Sequence, residues 1–287
     1  MFGFVLTSCN KVSTEPVSAE GGQGLTDNIE LRFAPPKGYS RVPTEQNSFA
    51  AYLRALSLKP EGSLVLYYDG RTKPNNGIYT AVIAMPFISR KDLQQCADAI
   101  MRLYGEYQYA QGMYDDIKFN FAKDNQPRYY KSYAKGDYSY KKYLKYIMGW
   151  IFRKADIAFL HNQTKKTAIE DIYSYEKFLK YMDWVFRKAN TASLYNQTKK
   201  VAIEDIQSGD IFIQKGRPYG HAAIVLDVAQ DKNSNKVYML GQSYMPAQET
   251  QVLINPMDST LSPWYAVNDK TIRTPEWTFE PDDLRRF

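Results

Sequence analysis

Apolar and polar positions change period from one stretch of this chain to the next. Across residues 209–248 the period is short. Ile211-Phe212-Ile213, residues 222–228 and Val237-Tyr238-Met239-Leu240 are apolar runs, parted by Arg217-Pro218-Tyr219-Gly220 and by a polar loop over 230–235. Short β-branched and aromatic runs bounded by turn residues predict an antiparallel β-meander. Across residues 89–111 the period lengthens. Leu93, Cys96, Ala97, Ile100, Leu103, Tyr104 and Tyr107 share one face of a helix, the best helical stripe in the chain. Ser89 or Asp92 is placed to cap it, with Asp92 or Gln95 three residues on. This puts Cys96 on the buried face, in the first or second turn. Phe49, Tyr52, Leu53 and Leu56 predict a helix within 48–58. Residues 64–68, closed by Asp69-Gly70, and residues 79–85 read as two strands that pair or lie side by side.

The middle of the chain is duplicated. Trp150-Ile151-Phe152-Arg153-Lys154-Ala155 returns as Trp184-Val185-Phe186-Arg187-Lys188-Ala189, and Asn162-Gln163-Thr164-Lys165-Lys166 returns as Asn196-Gln197-Thr198-Lys199-Lys200. The offset is 34 residues. Two copies are too few for a solenoid, which needs at least about three. Near-identity of the copies reads as a recent segmental duplication, a helical insertion covering 142–206. It also sorts the two histidines. His161 is matched by Tyr195, so that position does not require an imidazole. His221 follows a glycine at the start of a strand and keeps its functional case.

Composition adds a little. The 287 residues can form a sizeable core, and a net charge of +6 is modest. There is no basic stripe and no zinc or Gly-rich nucleotide motif, so nucleic acid is not an expected partner. No cofactor and no metal are expected, because no ligand cluster is legible. No apolar run reaches the 18 residues of a membrane-spanning helix. The 24 tyrosines crowd the centre. Rows of them could stack on sugars, but packing onto the core is the first expectation. Asp115 and Asp116 are adjacent, so they face apart and make a poor glycosidase pair.

The two cysteines are informative. Leu6-Thr7-Ser8-Cys9 looks like a bacterial lipobox, with Cys9 the lipidated residue, and residues 1–9 read as a signal-peptide remnant. Residues 10–28 are polar and read as a flexible tether. The expectation is a lipoprotein anchored to a membrane of the bacterial cell envelope, with one α+β domain over 29–287. Cys96 is then the remaining thiol. A buried cysteine is often a small core hydrophobe. Near a helix N-terminus it is also a candidate nucleophile, since the peptide dipoles favour a thiolate and lower its pKa.

Two resemblances follow from particular blocks. Asp92-Leu93-Gln94-Gln95-Cys96-Ala97-Asp98-Ala99, Gly220-His221-Ala222, residues 242–248 and Thr274-Pro275-Glu276-Trp277 resemble a family of bacterial lipoproteins known only as domain of unknown function 4846. Gly209-Asp210-Ile211-Phe212-Ile213 with Gly220-His221-Ala222-Ala223-Ile224-Val225 is similar to the histidine region of the NlpC/P60 and CHAP cysteine hydrolases. The second resemblance implies a papain-like α+β fold, a meander packed on a central helix. It implies Cys96 as nucleophile and His221 as general base. A polar residue on the next strand would orient the ring. Asp227 is too far along the same strand, at roughly 20 Å. Gln242 is across a hairpin turning near Asp231 or Lys232, and a one-residue change of register would favour Ser243. Gln94 or Gln95 could donate to the oxyanion. The expected activity is an amidase or peptidase of the envelope, acting on peptide or peptidoglycan. The competing expectation is a non-catalytic lipoprotein that binds glycan or peptide.

Overall fold

A computed structural model of the chain describes residues 27–135 and 173–287, apart from Arg217. Its helices are α1 (Ile29–Arg32), α2 (Phe49–Arg54), α3 (Cys96–Ala110), α4 (Tyr130–Ala134), α5 (Tyr175–Phe186) and α6 (Thr191–Asn196). Its strands are β1 (Tyr39–Arg41), β2 (Tyr79–Val82), β3 (Lys118–Asn120), β4 (Pro127–Tyr129), β5 (Lys199–Lys200), β6 (Ile211–Gln214), β7 (His221–Asp231), β8 (Lys236–Gln242), β9 (Gln251–Leu253), β10 (Trp264–Ala266), β11 (Ile272–Arg273), β12 (Thr278–Phe279) and β13 (Leu284–Arg286). Nine of them form one antiparallel sheet in the order β2-β9-β8-β7-β6-β13-β5, with β1 also on β7 and β10 also on β8. Helices packed with antiparallel strands make this an α+β fold. Among the described residues no helix is long and apolar enough to cross a membrane.

The meander is present as the pattern predicts. β6 pairs with the first part of β7, Gln214 opposite His221, and β7 pairs with β8, Ile224 opposite Gly241. β7 is apolar from Ala222 to Leu226 because both of its faces are covered. Ala222, Ile224 and Leu226 join Cys96, Ala97, Ile100 and Met101 of α3 in one core cluster. Ala223 and Val225 join Tyr265, Ile272, Phe279 and Leu284 from the C-terminal segments in another. A register shift between Val225 and Asp227 exchanges the faces, so Val228 packs with the second cluster and Ala229 with the first. A bulge does this because one extra residue inverts the two-residue period.

Beside α3 lies α5, whose Phe178 and Met182 are fully buried. They fit over Gly105, where an added Cβ would meet the Phe178 ring and the Met182 sulfur at 3.3 Å. Burying a side chain the size of Phe178 contributes about 1.5–3 kcal/mol. Tyrosines go into this core. Tyr130 and Tyr181 are wholly buried, and Tyr109, Tyr114, Tyr173 and Tyr175 pack around them. The first expectation for the tyrosine-rich centre therefore holds for these residues. Tyr138, Tyr140 and Tyr143 lie outside the described residues, as do Cys9, residues 10–26 of the tether, His161 and the first copy of the duplication. Of the last two tether residues, Asn28 caps α1 and Asp27 pairs with Arg32.

Several elements differ from the pattern. Residues 64–68 form no strand. They make only isolated bridges, Leu66 to Thr72 and Tyr67 to Gln248, because Asp69-Gly70 folds the segment back on itself. The partner of β2 is β9. Residues 281–283 form a single 3-10 turn that leads into β13, and β13 pairs with β6. The helix expected from residue 89 starts at Cys96. Gln95 is its N-cap residue, and Asp98, at the third helical position, accepts the Gln95 N–H at 3.3 Å. The capping acid therefore lies after the cysteine.

The second copy of the duplication supplies α5, α6 and β5. Ser174 caps α5 and the Tyr175 hydroxyl donates to Glu106 at 2.8 Å. The chain carries the same Tyr-Ser-Tyr triplet at Tyr138-Ser139-Tyr140 as at Tyr173-Ser174-Tyr175. Deleting residues 141–175 joins Tyr140 to Glu176 and restores that triplet ahead of α5. The shortened protein is expected to unfold in one cooperative transition. Urea unfolding that loses its sigmoidal shape would place the first copy in the core.

Candidate functional site

Cys96 is the first residue of α3, where backbone N–H groups lack partners within the helix. Three groups near its sulfur act on the thiol: the N–H of Ala97, the N–H of Ala222 and the hydroxyl of Thr191. Each favours the thiolate. Burial opposes them and prevails: the thiol is pushed up to about 11, first by desolvation and then by the charge of Asp98. Asp98 is itself raised well above the ordinary carboxylate range by burial, and desolvation is the main force on the thiol. The direction expected from the helix dipole is thus reversed. A dipole effect is worth about a kcal/mol, and removing a thiolate from water costs more.

Cys96 is buried but borders open space. Cys96 lines a cleft of about 310 Å³ with Asp98, Asn190, Thr191, Lys215, Tyr219 and Gly220 among its walls. One wall is the β6–β7 turn. A Cβ on Gly220 would lie 2.4 Å from the Gln214 carbonyl oxygen, so only glycine lets the chain enter β7 this closely. Thr191 comes from the second repeat copy, and the first copy carries Ile157 at the matching position.

His221 opens β7 and is wholly buried. Its ring packs against Tyr244, Trp277 and Phe279. Nε2 lies 2.8 Å from Gln242 Oε1. Gln242 Nε2 donates to Glu276 Oε2 at 2.8 Å, and Lys73 Nζ lies 2.7 Å from both Glu276 oxygens. Burial lowers the imidazole pKa to about 4, against the Gln242 hydrogen bond and with help from the Lys73 charge. The ring is therefore neutral across the neutral pH range. Nδ1 is buried and has no hydrogen-bond partner, so no hydrogen bond joins it to the sulfur. The ring lies with Phe279 of the second core cluster, and the thiol lies with Ala222 in the first. Ala222, the residue after His221, is the group of β7 whose N–H acts on the thiol, and His221 itself does not line the cleft.

Of the residues singled out from sequence, the structure brings together His221 and Gln242. The Gln242 register is the one that the hairpin geometry favoured. Ser243 is instead a buried clamp, its hydroxyl 2.6 Å from the Gln248 carbonyl oxygen and 3.3 Å from that of Gln94. Gln94 does not line the cleft, and its Oε1 accepts from Arg102 at 3.3 Å. Gln95 does line it, with Nε2 donating to Asp92 Oδ1 at 2.9 Å. Asp227 bonds Arg41 and Arg54. Lys73, Glu276 and Thr191 had no assigned role from sequence. Glu276 stands in one of the blocks that carried the family resemblance, whereas nothing marks Lys73, which reaches the site only through tertiary folding. Among the described residues no group of three or more His, Cys, Asp or Glu could hold a metal ion.

Fold and site thus define an α+β protein with a cysteine at a helix start and an amide-held imidazole on the adjoining strand. Residues 29–286 match the family described as Domain of unknown function (4846), and the chain belongs to that family. No curated protein matches it, and no solved structure does.

Proposed function

We propose that the protein is a cysteine hydrolase of papain-like architecture, an amidase or peptidase of the bacterial cell envelope anchored through Cys9. The observation that carries this reading is the state of His221. Its Nε2 is committed to Gln242, while Nδ1 stays bare on the first residue of β7, a strand that packs against the Cys96 helix. In this reading Nδ1 takes the thiol proton as sulfur attacks an amide carbonyl. The resulting imidazolium gives that proton to the leaving amine, and the acyl group stays on sulfur as a thioester. Water, deprotonated by the same nitrogen, then releases the acid and frees the thiol. First-turn N–H groups of α3 are the oxyanion donors. The thiol and imidazole start neutral, so this is general-base catalysis without a standing ion pair, and the sulfur and Nδ1 draw together on binding substrate.

The test is release of free amine from peptidoglycan stem peptides and from a mixed peptide library. Cys96→Ala is expected to reduce release to background. Release that persists in Cys96→Ala, or its absence in the wild-type protein, contradicts the hydrolase and favours a lipoprotein that binds glycan or peptide.

A further inference from the structure

We infer that Glu276 and Lys73 are positioning residues for His221: they fix which way the Gln242 amide points, and through it which ring nitrogen carries the proton. The inference deepens the proposed function and rests on His221 acting as its base.

Donors and acceptors are matched here with little competing water, although the Glu276 side chain is 17 % exposed. Lys73, Gln242 and His221 are 3 %, 1 % and 0 % exposed. An ammonium only donates and a carboxylate only accepts. With Lys73 Nζ at 2.7 Å from both its oxygens, Glu276 can take only a donor from Gln242. That donor is the amide NH₂, found at 2.8 Å. The amide oxygen is then turned to His221 Nε2, also at 2.8 Å. A carbonyl oxygen cannot donate, so Nε2 must carry the hydrogen. Nδ1 is left as a lone pair, the form a general base needs. The opposite amide orientation would set oxygen against the Glu276 carboxylate and leave NH₂ against Nε2. In a buried site that loses a charge-assisted hydrogen bond and adds a repulsion, a cost of several hydrogen-bond equivalents. Trp277, next to Glu276, lies against the same ring at 5.1 Å, and the Tyr244 hydroxyl donates to the Glu276 backbone oxygen at 3.4 Å. Neither Lys73 nor Glu276 lines the cleft, so their effect on chemistry passes through Gln242.

The test reads the ring directly. In protein carrying ¹⁵N-labelled histidine, long-range ¹H–¹⁵N spectra distinguish a protonated ring nitrogen from a bare one. His221→Ala assigns the signal against His161. The wild-type ring is expected to hold hydrogen on Nε2 and none on Nδ1 between about pH 5 and 8. Glu276→Ala is expected to give a mixture of tautomers or the opposite one. Glu276→Gln keeps an acceptor for Gln242 and is expected to retain the wild-type form. Iodoacetamide alkylation of Cys96 is expected to slow about tenfold in Glu276→Ala and to recover in Glu276→Gln. A wild-type Nδ1–H tautomer overturns the inference, and this readout needs no variant to fold. So does an unchanged tautomer in folded Glu276→Ala. If the tautomer moves as stated while alkylation is the same in every variant, the positioning role stands and the hydrolase reading falls.

Discussion

Asp227→Ala is expected to lower stability to unfolding by about 3–5 kcal/mol. The carboxylate has no exposed surface and accepts from Arg54 Nε at 2.5 Å, Arg41 Nε at 2.7 Å and the Val228 N–H at 2.9 Å. Arg54 is nearly as buried and also reaches the backbone oxygens of Val42 and Val228. Removing the acid leaves two guanidinium groups facing each other without their counter-ion. That penalty exceeds the net value of the pair when intact, because the desolvation of both arginines remains. The loss has a place in the fold: Arg41 of β1 and Arg54 of α2 converge on this one side chain at the bulge of β7, beside the backbone pairing of β1 with β7. Asp227→Asn keeps the shape and one acceptor, and is expected to lose about half as much. Urea unfolding followed by tryptophan fluorescence measures both variants. A loss below about 1 kcal/mol for Asp227→Ala would show that water or a rearranged arginine replaces the carboxylate.

The same residue shows what the sequence made legible. Asp227 was correctly set aside as a partner for His221, because distance along a strand follows from rise per residue. Its actual role was hidden, because Arg41 and Arg54 reach it from elements far away in sequence. Gln242 was legible because an antiparallel hairpin fixes which residues face each other. Glu276 and Lys73 were not, since a chain of side chains across three segments leaves no local period. The start of α3 differs by several residues, because apolar spacing continues through Leu93 while the backbone there is still in a turn. Only the capping geometry of Gln95 and Asp98 marks the true start. The sign of the Cys96 shift was missed for the same kind of reason: a dipole can be read from sequence, but depth of burial cannot.

The central claim is that Cys96 and His221 work as nucleophile and base, and pH-resolved alkylation of Cys96 by iodoacetamide tests it most directly. With the thiol pushed up to about 11, thiolate at pH 7 is on the order of 10⁻⁴ of the total. A cysteine acting alone would react at a rate that rises tenfold per pH unit up to that value. With the imidazole lowered to about 4, His221 is a neutral base at every pH above about 5. A thiol assisted by it loses its proton to Nδ1 during attack, so its rate is level between about pH 5 and 8 and rises only as free thiolate takes over. In the wild-type protein the account predicts that level region. His221→Ala should remove it, slowing alkylation at pH 7 by at least about tenfold, and the two curves should converge as pH approaches 11. Superimposed curves that rise together from pH 5, unaffected by the histidine, would make Cys96 a core residue and contradict the account.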